Sequence, residues 1–152
     1  MRLRDVNQED CRRLFDWAND SSVRHNAINK AIISWDSHKE WFENKLQSNT
    51  KMLILEGKEA IGQVRFDNID DHWEIDYSID EKYRGRGLGA DLLRLALHRH
   101  LEIKEHSLDT VIGRVHKDNI PSQKIFEKLE FKLEDTVDHL NSSYLVYVYR
   151  RV

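Results

Sequence analysis

Two short stretches of this sequence carry residue types whose spacing suits chemistry. Residues 84 to 89, Arg84-Gly85-Arg86-Gly87-Leu88-Gly89, set three of the chain's six glycines just ahead of a leucine-rich helical pattern. Glycine lets a backbone turn sharply and approach a ligand closely, and the first amides of a helix point outward without partners. A loop of this kind cradles an anion. Lys82, Arg84 and Arg86 concentrate positive potential there although the formal net charge of the chain is -3, which points to a phosphorylated ligand. Just upstream, Glu74 and Asp76 stand two apart. On a strand that spacing puts both carboxylates on one face, roughly 7 Å apart. A carboxylate so placed takes a proton from an incoming ammonium, directly or through water. The alternative is structural. A hairpin through residues 67 to 72 that sets Phe66 opposite Trp73 would face Arg65 with Glu74 and Gln63 with Asp76.

The elements that must position these groups are legible as periodic patterns. Cys11, Leu14, Phe15 and Ala18 fall at helical spacing behind Asn7, a good N-cap, and predict a helix over roughly residues 8 to 18. A second helix begins after Ser34, with Trp35, His38, Trp41, Phe42 and Leu46 along it. "KMLILEG" and "AIGQVRFD" read as strands around Gly57-Lys58, and "WEIDYSI" alternates Trp73, Ile75, Tyr77 and Ile79 against Glu74, Asp76 and Ser78. The glycine loop opens a long helix to about residue 103, its inner stripe built from Leu88, Leu92, Leu95 and Ala96 and widened by Leu93, Leu97 and Leu101. "TVIGRV" is the next strand. Asn119, Pro121 and Ser122 start another helix, and "FKLED" and "YLVYVYR" close the chain as strands.

Composition narrows the classes. At 152 residues the chain is sized for one domain, taken as residues 1 to 152. A mean hydropathy of -0.71 leaves no run able to span a bilayer, and Met1-Arg2-Leu3-Arg4-Asp5 lacks the apolar core of a signal peptide. A lone cysteine, Cys11, excludes an intramolecular disulfide and fits the cytoplasm. The mixed charge speaks against a general nucleic-acid binder. His98, His100 and His106 have no partners at metal-ligand spacing, so no metal is expected, and "HRH" late in a helix reads as surface.

The order of parts is more specific than any one of them. A strand "EIDYSI", a turn "DEKYRGRGLG", a long helix, a strand "VIGRV" and then "HKDNIPSQKIFEKLEF" resemble the GNAT superfamily of acyl-CoA-dependent N-acetyltransferases across nearly the whole chain. The glycine loop looks like that family's Q/R-x-x-G-x-G/A pyrophosphate motif, filled by Arg84, Gly87 and Gly89. A second motif, N-x-x-S-x-x-x-(Y/F)-x-K-x-x-F, is filled by Asn119, Ser122, Phe126, Lys128 and Phe131. The resemblance implies an α/β (α+β) fold: a single domain with a mixed, mostly antiparallel sheet, split at the acetyl-CoA site, and helices on both faces. It implies that the loop Arg84, Gly85, Arg86, Gly87, Leu88, Gly89 holds the coenzyme A pyrophosphate. Ser78 and Ile79 would pair with the pantetheine arm, and Asn119, Ser122 and Phe126 would flank it. The acceptor amine would attack the thioester directly, so Cys11 is not needed as a nucleophile.

Two positions depart from the family pattern. Many members carry tyrosine where this chain has Phe126, and its hydroxyl can protonate the departing thiolate. Here water or Tyr83, Tyr144, Tyr147 or Tyr149 would serve, or no acid is required. Glu130 stands where glycine is usual. If the backbone there is left-handed, the missing glycine costs on the order of 1 kcal/mol.

The N-terminal third, "WANDSSVRHNAINKAIISWDSHKEWFENKL", is similar to acetyltransferases of the pseudaminic-acid pathway, which acetylate the 4-amino group of a UDP-linked deoxy-amino sugar. The resemblance gives Trp17, Trp35 and Trp41 as flat faces for a sugar or uracil ring and Arg24, Lys30 and His38 as contacts for a diphosphate. Aromatic residues at helical spacing are also the usual material of a core, and at least Trp41 or Phe42 is expected to be buried. Arg65 and His116 complete the expected acceptor side. The partner is thus a small-molecule amine, nucleotide-linked, with homodimerisation left open and neither nucleic acid nor membrane involved. Two other readings stand beside it: acetylation of a protein N-terminus, as in ribosomal-protein members with a similar N-terminus, and an acyl-CoA-binding module without catalysis.

Overall fold

Burial alternates along residues 51 to 79 with the period of two that the sequence implies, and three strands result. The computed structural model describes residues 1–102, 110–139 and 142–150; His106 lies outside them. Its strands are β1 (Arg2–Asp5), β2 (Lys51–Glu56), β3 (Ala60–Ile69), β4 (His72–Ile79), β5 (Thr110–His116), β6 (Lys132–His139) and β7 (Ser142–Arg150). They form one seven-stranded sheet in the order β1-β2-β3-β4-β5-β7-β6. Every neighbouring pair is antiparallel except β4 and β5. Among the described residues no helix is long and apolar enough to cross a membrane.

The helices are α1 (Cys11–Ala18), α2 (Ser21–Asn26), α3 (Trp35–Leu46), α4 (Leu88–Glu102) and α5 (Ile120–Lys128). Asn7 caps a short 3-10 turn that runs into α1, and the buried Asp10 carboxylate accepts from the Asn7 amide at 2.9 Å. That carboxylate also takes Arg4 at 2.8 and 2.9 Å and Arg13 at 2.8 Å, so its burial is compensated. Ser34 caps α3 as expected. β2 separates two cores: Leu53 and Leu55 join Val64, Phe66, Ile75, Leu92 and Phe126 on one side, while Met52 and Ile54 join Leu14, Trp17 and Phe42 on the other. Phe42 is fully buried, as the sequence led one to expect of it or Trp41.

The structure departs from expectation in several places. Strand β1 and helix α2 carry too few apolar residues to show periodicity. β1 holds through its pairing with β2 and through Arg2 and Arg4 on Glu56, and α2 through Asp20, which accepts from the amides of Ser22 and Val23. Leu95 is exposed, and the long helix instead buries Leu92, Leu93, Ala96, Leu97 and His100. His100 is no surface residue: its ring stacks on Phe66 at 4.4 Å. The β3–β4 hairpin turns at Asp70 and Asp71, with Ile69 opposite His72, rather than through residues 67 to 72. Phe66 therefore meets Ile75, Arg65 meets Asp76, Asp67 meets Glu74 and Gln63 meets Ser78. The tighter turn shifts the register by two residues, which keeps each side chain on its face and changes every directly opposed pair, although Gln63 Nε2 still reaches Asp76 diagonally at 3.2 Å, as expected.

Where α5 ends, Phe131 N–H bonds Phe126 O and Glu130 N–H bonds Glu127 O, both at 3.0 Å, and Glu130 has φ 70°. This is the left-handed helix end for which glycine is suited. Replacing Glu130 by glycine is expected to raise the free energy of unfolding by about 1 kcal/mol. The check is a higher urea midpoint at unchanged slope.

Candidate active site

The site begins where the sheet fails to close. β4 and β5 pair only from Trp73 with Val111 to Ile75 with Gly113, and then part. Asp80 N–H donates to Ile61 O at 2.8 Å, so by strand alternation the even-numbered residues of β4 turn their backbone toward β3. Tyr77 and Ile79 turn theirs toward the gap. The ladder with β5 has ended by then, so the Tyr77 N–H and C=O and the Ile79 N–H have no strand partner, while Ile79 O accepts from Arg84 Nε at 3.0 Å. The edge that an extended ligand can pair with is thus Tyr77 and Ile79. Ser78 is corrected: its backbone faces β3, and its hydroxyl accepts from Gln63 Nε2 at 3.2 Å.

The glycine loop sits at the open end of this gap. Gly85 and Gly87 have φ of 76° and 75°, and nothing lies within 4 Å of where a Cβ at either would stand. The loop is therefore left-handed at alternate residues and open outward, the arrangement of an anion nest. Asp91 N–H closes the first turn of α4 on Gly87 O at 3.3 Å, which leaves the amides of Leu88, Gly89 and Ala90 ahead of it for a ligand. The basic side chains do other work. Arg84 is tied to Ile79 O, to Ser22 Oγ at 2.9 Å and to Asp20 at 3.1 Å, so its contribution is to hold the loop against α2. Arg86 lies over the Tyr83 ring. Asn119 caps α5 through the Ser122 amide at 3.3 Å. Phe126 is buried with its Cε1–Cζ edge on Gly113, where any Cβ would come within 2.6 Å of the ring.

On the opposite side chain face lies a floor of charges. Asp67 binds Arg65 at 2.8 Å, Lys45 at 2.7 Å and Thr50 at 2.9 Å. Burial works against its charged form, yet these partners outweigh burial and hold its carboxyl below the usual range. Glu74 has both oxygens engaged, by Arg114 at 2.8 Å and His72 at 3.1 Å. Asp76 differs: its side chain is 56% exposed, and only Oδ2 is engaged, by Gln63 at 3.2 Å and Arg65 at 3.7 Å. Of the two candidate carboxylates, Asp76 is the free one. Glu74 takes the structural alternative, an ion pair, with Arg114 in place of Arg65.

The acceptor residues divide. Trp17 is buried and donates from Nε1 to Asp80 at 2.8 Å, fixing the turn before the glycine loop. His38 is buried in an aromatic cluster with Nε2 donating to Cys11 O at 2.8 Å, so it does not reach a diphosphate. Arg24 donates to the carbonyls of Ala18, Asn29 and Ala31 at 2.7, 3.0 and 3.2 Å, which occupies its guanidinium in fixing the loop after α2. His116 is 3% exposed, at the parted end of β5 beside His25 and Tyr144. Its Nδ1 accepts from the Asp118 amide at 3.1 Å, so the neutral ring carries its proton on Nε2. Arg65 lies over the Trp41 ring at 5.2 Å. Tyr77, Ser122, Asp76, Trp41, His116 and the glycine loop all line one cleft of about 1110 Å³.

A parted parallel strand pair beside an anion nest, with a carboxylate of the parted strand keeping one oxygen open, defines an acyl-coenzyme A transferase type of domain. The chain belongs to the GNAT family: residues 1–132 match its model, the Acetyltransferase (GNAT) domain, whose members use acetyl-CoA. A mycothiol acetyltransferase of Corynebacterium glutamicum (strain R) is 27% identical over 119 residues, 67% of this chain and 36% of that protein. The chain thus spans about a third of that relative's length. Spermidine N-acetyltransferase from Vibrio cholerae, solved with CoA and spermine, superposes with a TM-score of 0.86 at 17% identity, covering 98% of this chain and 94% of that one. Ribosomal-protein-alanine N-acetyltransferase from Brucella melitensis gives 0.83 at 17% identity over 99% and 100%. At such identities the likeness is one of fold.

Alanine at Gly87 would have to abandon a left-handed conformation worth about 1–2 kcal/mol to an L residue. Gly87→Ala is expected to raise the Kd for CoA at least about tenfold in calorimetry, with little loss of melting temperature. Burial, the largest influence on both rings, pushes His38 and His116 below the ordinary histidine value. Unfolded histidine titrates near 6.5, so the stability they contribute is complete above about pH 6.5 and is lost as pH falls below it, when the unfolded chain binds the extra protons. The urea midpoint should hold above about pH 7 and decline below about pH 6.5, less steeply in His38→Gln.

Proposed function

We propose that the chain transfers acetyl from acetyl-CoA to a primary amine on a nucleotide-linked amino sugar, the 4-amino group of a UDP-linked deoxy-amino sugar, in the cytoplasm. The observation that carries the acceptor class is the charge balance of the cleft floor. Asp67 is paired with Arg65 and Lys45, and Glu74 with Arg114 and, by hydrogen bond, His72, while Asp76 has only Gln63 and a longer contact to Arg65, both on Oδ2, and keeps its other oxygen open. Such a floor suits one ammonium on an otherwise uncharged or anionic molecule. A polycation would want several free carboxylates. The Trp41 ring beside Arg65 and the Nε2–H of His116 favour a planar group and a hydrogen-bond acceptor on that molecule. The curated relatives, named for acetylating mycothiol, also favour a small-molecule acceptor.

In this reading the amides of the glycine loop hold the coenzyme's pyrophosphate and the Tyr77–Ile79 edge aligns its arm. Acetyl-CoA supplies an activated carbonyl. An unpaired edge N–H aimed at that carbonyl oxygen stabilises the charge that builds there. Asp76 receives the proton of the incoming ammonium. Alignment of two substrates supplies much of the rate.

The test is release of free thiol from acetyl-CoA with UDP-linked 4-amino-6-deoxy sugars, peptides with free N-termini, and polyamines. Turnover confined to the UDP-amino sugars is expected. Turnover with peptides alone would move the function to protein N-termini, and turnover with polyamines alone would defeat the charge argument. Asp76→Asn should lower kcat about 10²-fold at unchanged CoA affinity, while Glu74→Gln acts mainly on stability.

A further inference from the structure

Phe126 has no hydroxyl and so offers the departing sulfur no proton. Its ring lies edge-on against Gly113 of β5. The chain has five tyrosines. Tyr83 donates its hydroxyl to Glu59, Tyr144 to Ala27 O at 2.9 Å and Tyr147 to Glu127 at 3.1 Å, while Tyr149 packs on Phe131 away from the cleft. Tyr77 alone has its phenol on another hydroxyl, that of Ser122. Both residues line the cleft, and Tyr77 is the first residue of β4 whose backbone faces the gap after the strands part. In a hydroxyl–hydroxyl bond one proton makes the bond and the other is uncommitted. Such a pair has a proton to offer a third atom, which a phenol spent on a carboxylate or a carbonyl does not.

We propose that Tyr77 and Ser122 form a two-hydroxyl relay that donates to the sulfur leaving acetyl-CoA, in place of the absent tyrosine at position 126. The inference rests on the reading that acetyl-CoA lies in the gap beside Tyr77 and Ile79. As the acceptor nitrogen bonds the carbonyl carbon, the C–S bond breaks and its electron pair stays on sulfur. Sulfur takes the Ser122 hydroxyl proton, and Ser122 takes the phenolic proton of Tyr77. The phenolate regains a proton, through water, from the one the new amide nitrogen sheds. Burial raises the Tyr77 phenol above its ordinary value, so the relay rests in its protonated, donating form. Tyr77 also packs edge-on to Phe126 at 6.2 Å, which fixes its ring beside α5.

The test avoids any dependence on the acceptor by titrating the thiol of bound CoA through the pH dependence of its alkylation by iodoacetamide. A donor pair stabilises the thiolate, so Tyr77→Phe and Ser122→Ala should each raise the pKa of bound CoA thiol by about one unit relative to the unaltered protein. The double variant should raise it no further, because the two hydroxyls act as one donor. Calorimetric CoA affinity within about twofold and near-native melting temperatures separate this from a packing role. Equal thiol pKa values in all four proteins would overturn the relay. Failure of the unaltered protein to bind CoA at all would overturn the acetyl-CoA reading itself, and the relay with it.

Discussion

The cleft exists because two parallel strands stop pairing after three residue pairs. A strand edge inside a protein leaves N–H and C=O groups that cost about 1–3 kcal/mol each when buried without partners. The parting after Ile75 and Gly113 is therefore tolerable only if something extended can take up the edge of Tyr77 and Ile79, or water can. Gly113 is part of the cause. With no Cβ it admits the Phe126 ring against β5, and α5 is wedged next to the gap with Asn119 and Ser122 at its mouth. Sheet, helix and ligand edge are thus set by one close approach.

Around this gap the strongly polar side chains are mostly committed to holding backbone in place. Trp17 pins Asp80, Asp80 caps the turn through the Lys82 amide, and Arg84 clasps Ile79 O and the start of α2. In the proposed binding mode the ligand meets amides in a left-handed loop. Backbone amides are fixed in direction by the fold, so a nest made of them needs no side-chain ordering when an anion arrives. Arginines that look like phosphate ligands in the sequence here make the cradle rigid.

Patterns with a local period were legible in the sequence, and those set by a distant partner were not. The alternation of β4, the glycine loop and the caps at Asn7, Ser34 and Asn119 are all written within a few residues, and each formed as read. The hairpin register depends on a turn only two residues long, and nothing in Asp67 to His72 distinguishes a two-residue turn from a longer one. His100 falls three and four residues after Leu97 and Ala96, on the buried stripe, but its residue type suggested surface. Arg24, His38 and Trp17 have the chemistry of ligands, and only coordinates show that their donors end on Ala18 O, Cys11 O and Asp80.

Arg24 shows the physical reason most plainly. The segment between α2 and α3 has no strand or helix to satisfy its own carbonyls, and a loop that walls a cleft cannot leave them bare. Arg24 bonds those of Asn29 and Ala31, Asn19 bonds both the N–H and the C=O of Ile33, and Tyr144 bonds Ala27 O. The wall is rigid because donors from α1, α2 and β7 converge on it. What remains for an acceptor to touch is the residue of that settlement: the sides of Ile28 and Ile33, the Trp41 ring under Arg65, and the open oxygen of Asp76. Acceptor choice in this fold is then set by which polar groups folding leaves unused, and counting donors against carbonyls finds them where residue type alone does not.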